Sequence, residues 1–498
     1  MRRMLLAAAI ALCAAPAWAP AQAQELRIGM RDDPDILDPT LSRTYVGTLV
    51  MTAMCDKLFD FDEKQQIVPV LATGYEWVDP VTLLIRLRPG VLFQNGETMD
   101  AGAVKYTLDR HAGLAGSFRR NEIGAMERVE VVDSLTVRVV LKQPFSPFIA
   151  VLTDRAGMMV APKAAEAAGK EFGLKPVCAG PFRFVERVAQ DRVVLERFPG
   201  YWDAGRVHWD RVTYRVFPDS TVRLSNLQAG ALDIAEVAPL DVAEAKGDSR
   251  LSVVEVEGLG YGALSVNLAG VSPLAKDARV RRALSMALDR GALSQVVFGG
   301  LYLSNMQAIA PGSPYYVAGI QVPGRDVPGA KVLLKEAGVV LPLRVDLLVS
   351  NTPQGVQAGE VIQAMANEAG FDVRVVAAEF GAVIAATVRG DFQVTLGGWS
   401  GLLDPDSNTY AFLHTGSALN IAKYSNAEAD RALEAARVEA DPAKRRAQYE
   451  VLWRQEGADL PLIYLWTIRN IVGVSKKVTG VRLLANGLLP LQDVRPAP

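Results

Sequence analysis

Thr82-Leu-Leu-Ile-Arg-Leu-Arg-Pro-Gly-Val-Leu-Phe-Gln-Asn-Gly-Glu-Thr-Met-Asp-Ala-Gly-Ala-Val-Lys-Tyr-Thr-Leu-Asp-Arg110 is the stretch on which the reading of this chain turns. Residues 82–88 alternate at period two, the pattern of a strand with one buried face. Asp100 then stands where a helix N-cap belongs, ahead of a helix running to about Arg110. A strand thus leads through a short connection into a capped helix.

The same two periodicities recur outward from there. Residues 26–30 read as a short extended segment, followed by turn chemistry at Asp33-Pro34-Asp35 and Asp38-Pro39. Residues 46–58 have helical apolar spacing. Residues 129–132 and 135–141 flank Asp133-Ser134 as a hairpin, and 192–197, 212–217 and 261–268 read as strands. Val280, Ala283, Leu284, Ala287 and Leu288 fall on one helical face, a core stripe rather than a ligand groove. Asp441-Pro442 marks another helix start, acid as cap and proline at the first position. Strands alternating with helices through the second half predict an α/β architecture.

The chain has 498 residues, enough for more than one packed core. Its 53 basic and 55 acidic residues leave a formal net charge of -2, so no single-sign field favours nucleic acid or an anionic membrane. Arg2 and Arg3 precede an apolar run over residues 4–15, and Ala21-Gln22-Ala23 has the spacing a signal peptidase reads. Residues 1–23 are therefore expected to be a cleaved export signal, with the mature protein starting near Gln24 in the periplasm. Leu12 before Cys13 argues against lipidation. Of the remaining cysteines, Cys55 and Cys178 are close enough in type to pair in an oxidising compartment. Two buried thiols are the simpler expectation, since a chain this long can bury a core without a staple.

Catalytic patterns are missing. Gly398-Trp399-Ser400-Gly401 lacks the second spacer of a nucleophile elbow, and neither a phosphate-binding loop nor a His-Glu-x-x-His pair occurs. The three histidines, His111, His208 and His414, are far apart. No enzyme activity, metal or cofactor is expected, and an exported hydrolase has no nucleophile or metal constellation to use.

The opening stretch resembles the signature of the family 5, peptide/nickel-type extracellular solute-binding proteins: a strand with Leu-Arg, then Gly-Val-x-Phe, Asn-Gly and a capped helix. Further segments resemble that family in order: Cys178-Ala-Gly-Pro-Phe182, Phe198-Pro-Gly-Tyr-Trp202, residues 277–290, Gly397-Gly-Trp-Ser-Gly401 with Asp404-Pro-Asp406, and Pro461-Leu-Ile-Tyr464. The resemblance implies a two-lobed periplasmic-binding-protein fold (type II, cluster C-like) with an extra N-terminal subdomain and a two-strand hinge. Lobe I would comprise 24–265, with the subdomain at about 67–175, completed by 475–498. Lobe II would comprise 266–474, and residues 261–268 and 463–474 would cross between them. It implies a non-enzymatic, monomeric component of an ABC importer, binding a small organic or short-peptide solute and docking on an inner-membrane permease. A stand-alone sensor or carrier would use the same fold.

For the solute site the resemblance points to Trp399 as an apolar wall, with Asp404 or Asp406 near its rim. Tyr45, Cys178, Tyr261 and His414 are further cleft candidates. Two departures matter. Leu402 aligns where dipeptide receptors carry the acid for the ligand's amino terminus, and residues 347–357 hold no Arg for its carboxylate. A buried zwitterion without partners costs several kcal/mol per charge, so ordinary dipeptide specificity is not expected.

Overall fold

The computed structural model describes residues 24–498. The expected leader, residues 1–23, and its cleavage after Ala23 lie outside the described residues. Two long antiparallel strands, Leu251–Val266 and Leu462–Ser475, run through the middle of an 11-stranded sheet. On one side of this pair lie Val394–Trp399, Leu343–Ser350 and Phe371–Ala378. On the other lie Ile234–Glu236, Glu25–Met30, Arg211–Val216, Arg192–Arg197 and Phe182–Val188. The long strands therefore belong to both lobes of a two-lobed α/β molecule. Their register slips between Glu257 and Tyr261, where one half of the sheet gives way to the other.

Each half builds its own core. In the second lobe, Leu343–Ser350 alternates, with Val345, Leu347 and Val349 buried. These side chains pack with Val280, Ala283, Leu284 and Ala287 of the helix Ala278–Ala287, so the stripe seen in the sequence is core. In the first lobe, Leu26, Ile28 and Met30 pack against Val212, Tyr214 and Ile234, and the C-terminal tail adds Leu488, Leu489, Leu491 and Val494 to that cluster. A third core belongs to a four-stranded antiparallel sheet, Ala72–Asp79, Thr82–Leu87, Thr136–Leu141 and Met126–Asp133. Leu83, Ile85 and Leu87 point inward beneath the helix Ala101–Gly113, whose N-terminus is capped by the Asp100 carboxylate on Ala103 N–H at 3.0 Å. Among the described residues, no helix is long and apolar enough to cross a membrane.

Three expectations need correction. The strand placed at 261–268 begins at Leu251 and ends at Val266. Glu255, Glu257, Gly258 and Gly260 break its apolar alternation, so its first half reads as a loop. The helix expected over 46–58 spans Tyr45–Met54, with Cys55 already extended. Cys55 and Cys178 are not free thiols but a disulfide, their Cα atoms 4.8 Å apart. Long-range backbone pairing brings them together: Gly180 N–H reaches Met54 O at 2.8 Å, and Gln94 accepts from Cys178 N–H while donating to Met54 O. No local pattern encodes that juxtaposition.

Candidate functional site

The lobes face each other across a narrow cavity. Its second-lobe wall is the loop after Val394–Trp399, contributing Leu402, Leu403, Asp404 and Ser407. Its first-lobe wall is Phe61, Glu122, Val151, Thr153 and Asp154, with Asn486 from the tail. Leu403 packs on a small cluster of Phe61, Leu259, Leu484 and Ala485. At a second contact between the lobes, Ser146 donates from N–H to Arg437 O (2.8 Å) and from Oγ to Glu439 O (2.6 Å).

Close backbone approach fixes the loop. Gly401 has φ +83°, and a Cβ there would lie 2.2 Å from the Leu259 carbonyl carbon. Only a residue without a side chain fits that conformation and that distance. Asn408 clamps the loop from inside the helix Pro405–Leu413. Its Oδ1 accepts from Leu402 N–H at 2.8 Å and from Trp399 Nε1 at 2.9 Å, and its Nδ2 donates to Leu402 O at 2.8 Å.

Trp399 ends its strand opposite Tyr261 of the first long strand. Its half-buried ring meets Phe412 edge-on at 5.1 Å. Tyr261 is buried against Tyr464, ring centroids 5.0 Å apart. Asp404 borders the cavity, but both its oxygens are taken by Arg445, from Nη1 at 2.6 Å and Nη2 at 2.5 Å. It also caps the helix through Asp406 N–H. Asp406 is turned away onto Arg437, with Nε at 2.8 Å and Nη2 at 3.1 Å, and is buried rather than at a rim. Burial outweighs that pairing and holds the Asp406 carboxyl above its ordinary pKa. His414 stacks on Tyr410 at 4.3 Å and approaches Glu434 with Nε2 at 3.1 Å. Trp399, Asp404, Asp406 and His414 share one neighbourhood on the second lobe, and Tyr261 joins it from the long crossing strand.

Tyr45 and Cys178 belong to the core of the first lobe instead. Tyr45 lies beneath the Arg31 guanidinium at 5.4 Å and donates to Gly487 O at 2.6 Å. The cleft role expected for Cys178 is corrected: it is fully buried and its sulfur is bonded to Cys55, leaving no side-chain atom to offer a solute.

Glu122, Asp154, Asn408 and Arg445 were not anticipated. Arg445 comes from Pro442-Ala-Lys-Arg-Arg-Ala, which reads as a solvated basic face, yet only Arg445 turns inward. On the first-lobe wall, Arg119 Nη1 pairs with Glu122 at 2.9 Å. Burial keeps the Glu122 carboxyl raised despite Arg119 and Arg155. For Asp154 burial also pushes upward, but Arg155, Arg119, Lys57 and the Arg155 backbone N–H pull harder, and the net direction is down. Among the described residues no group of three or more His, Cys, Asp or Glu gathers as a metal site.

Two lobes sharing a pair of strands, with an apolar loop facing a charged wall across a cavity, are the parts of a receptor that closes on a solute. A family model for bacterial extracellular solute-binding proteins, family 5 (middle region), matches residues 66–420. The chain is also 32% identical over 509 residues to the glutathione-binding protein GsiB of Pectobacterium atrosepticum, covering 99% of this chain and 98% of that one. It belongs to the family 5 bacterial extracellular solute-binding proteins, and it is the substrate-binding component of an ABC importer. Among solved structures, it resembles the PBP AgaA of A. tumefaciens R10 in complex with agropinic acid, with TM-score 0.85, 24% identity and coverage of 95% and 99% of the two chains. The oligopeptide-binding protein AppA of Bacillus subtilis in complex with a nonapeptide superposes with TM-score 0.83, 24% identity and coverage of 96% and 100%.

Proposed function

We propose that the solute is a small peptide-like molecule, with glutathione the first candidate, held between the Trp399–Leu403 loop and the Glu122/Asp154 wall. The observation carrying this reading is end-to-end similarity to a glutathione-binding protein, over 98% of that relative's length. The cavity wall contributes apolar surface from Leu402 and Leu403. Neither dipeptide anchor is present, since Leu402 replaces the acid and residues 347–357 lack Arg. A solute that does not depend on those two anchors is therefore favoured over an ordinary dipeptide.

The lobes would be 24–265 with 475–498, and 266–474, with bending at the register slip between Glu257 and Tyr261. Ligand contacts made only in the closed form shift the population toward it, which an inner-membrane permease can read. The mature protein would begin near Gln24 in the periplasm and act as a monomer, without bond cleavage. Titration calorimetry with reduced glutathione, joined to small-angle scattering, tests this. Saturable binding with a smaller radius of gyration is expected. A thermal scan at 100 times the Kd should show stabilisation of about 2.7 kcal/mol. No binding of glutathione or of short peptides, or turnover of the bound molecule, would overturn the reading.

A further inference from the structure

The end of one second-lobe helix is completed by the first lobe. Helix Ala427–Val438 packs through Ala429, Ala432, Leu433 and Ala436 in a cluster with Tyr449 and Tyr464. A helix leaves its last carbonyls without partners inside the helix. Here Ala435 O accepts from Glu439 N–H at 3.1 Å and Ala436 O from Arg445 Nε at 2.8 Å, both within the same lobe. Arg437 O and Glu439 O accept from Ser146 instead, from N–H at 2.8 Å and from Oγ at 2.6 Å. Ser146 lies just beyond the strand Thr136–Leu141, and its neighbour Phe145 is buried in the core of the four-stranded sheet. The contact therefore joins two bodies with separate cores.

The tip is shaped before it docks. It reads Pro144-Phe145-Ser146-Pro147. A proline fixes its own φ and keeps the residue before it extended. Ser146 thus presents its N–H and hydroxyl together, with little backbone freedom to lose on docking. The socket is equally firm. The Arg437 guanidinium lies over an aromatic ring from each lobe, 3.4 Å from the Tyr410 centroid and 5.1 Å from that of Phe145. Asp406 grips it through Nε and Nη2 at 2.8 and 3.1 Å. Beside the contact runs a crevice with Gln143 on one side and Tyr410, Glu428 and Glu434 on the other. Phe145, Ser146, Arg437 and Glu439 do not line the interlobe cavity, so their contact needs no solute.

We propose that Phe145–Ser146 is a closure latch: it docks on the end of helix Ala427–Val438 when the lobes meet, and so favours the closed form before any solute contributes. Opening at the hinge must break both Ser146 bonds and part Arg437 from Phe145. The latch rests on the hinged two-lobe arrangement and not on which solute is held.

Spin labels at Gln143→Cys and Glu428→Cys, facing the crevice from opposite lobes, read the lobe separation by double electron–electron resonance on residues 24–498 without solute. Cys55 and Cys178 are tied in the disulfide and take no label. The chain with Ser146 intact should show a short-distance population belonging to the closed form. Ser146→Ala deletes the bond to Glu439 O and leaves the backbone bond and the Phe145 packing. The ratio of closed to open should fall by roughly 2- to 10-fold, the weight of one hydrogen bond. Ser146→Thr keeps a hydroxyl and should keep the ratio. No short-distance population with Ser146 intact, a ratio unchanged in Ser146→Ala, or an equal fall in Ser146→Thr each overturns the latch. Failure of glutathione to bind would overturn the solute reading and leave these distances as they are.

Discussion

Asp404→Asn should unfold the cleft loop's support rather than merely weaken solute capture. The Asp404 side chain is 8% exposed and that of Arg445 is 2% exposed. Arg445 makes the bidentate pair, donates Nε to Ala436 O at 2.8 Å, and lies over Tyr315 and Tyr449 at 4.9 and 5.7 Å. The carboxylate raises the guanidinium's pKa well above its ordinary value against the opposing effect of burial. Removing one partner of such a pair leaves an uncompensated buried charge, at a cost of about 3–5 kcal/mol. Asp406 nearby offsets part of this, so the low end, about 3 kcal/mol, is expected. Urea unfolding at neutral pH measures it. Asp404→Leu combined with Arg445→Met should recover most of the loss, because two apolar side chains leave no orphan charge. Stability within about 0.5 kcal/mol of wild type in Asp404→Asn, together with lost solute binding, would refute this account and make Asp404 a ligand contact.

Three other outcomes are expected. Burial raises the Asp56 carboxyl to about 6, despite bonds from Trp202 Nε1 and Tyr201 Oη at 2.9 Å each. The folded state then binds more protons than the unfolded state between about pH 4 and 6. Asp56's contribution falls as pH rises through that window, and Asp56→Asn should gain on wild type there by about 3 kcal/mol; urea midpoints that track each other would contradict this. Gly401→Ala must strain a positive φ and push on Leu259, so a loss of at least about 1–3 kcal/mol with weakened binding is expected, read by calorimetry and melting. Trp399→Ala should weaken solute binding with little effect on stability, because the ring is only half-buried; a loss of about 3–5 kcal/mol with binding preserved would make it a core residue instead.

The elements legible in the sequence are those whose own side chains decide them. Thr82–Leu87 alternates because one face is covered, and Asp100 and Asp441 cap helices through bonds made within three residues. The first half of Leu251–Val266 was hidden because its partner is far along the chain. A strand whose middle carries Glu255, Glu257, Gly258 and Gly260 is held by ladder bonds to Leu462–Ser475, not by an apolar face of its own. The disulfide was hidden for the same reason. Residues 55 and 178 meet through pairings of the Gln94 side chain and the Gly180 backbone, and spacing along the chain carries no trace of them.

The candidate site divides along the same line. Trp399, Leu402 and Asp404 could be singled out because one short loop carries them, with glycines on either side. Their opposing wall could not, since Phe61, Glu122, Asp154 and Asn486 come from four separate segments and become neighbours only when the lobes approach. Asp154 also looks ordinary in Val151-Leu-Thr-Asp-Arg155, where an acid beside an arginine reads as a local surface pair. What a sequence does not carry is the pairing: Asp404 is held by Arg445, Glu122 by Arg119, and Asp154 lies 3.4 Å from Arg155 Nε. That property depends on which guanidinium reaches which carboxylate in three dimensions. The loop's apolar character and the charged wall opposite acquire meaning only together, because a solute held between them leaves water on both sides.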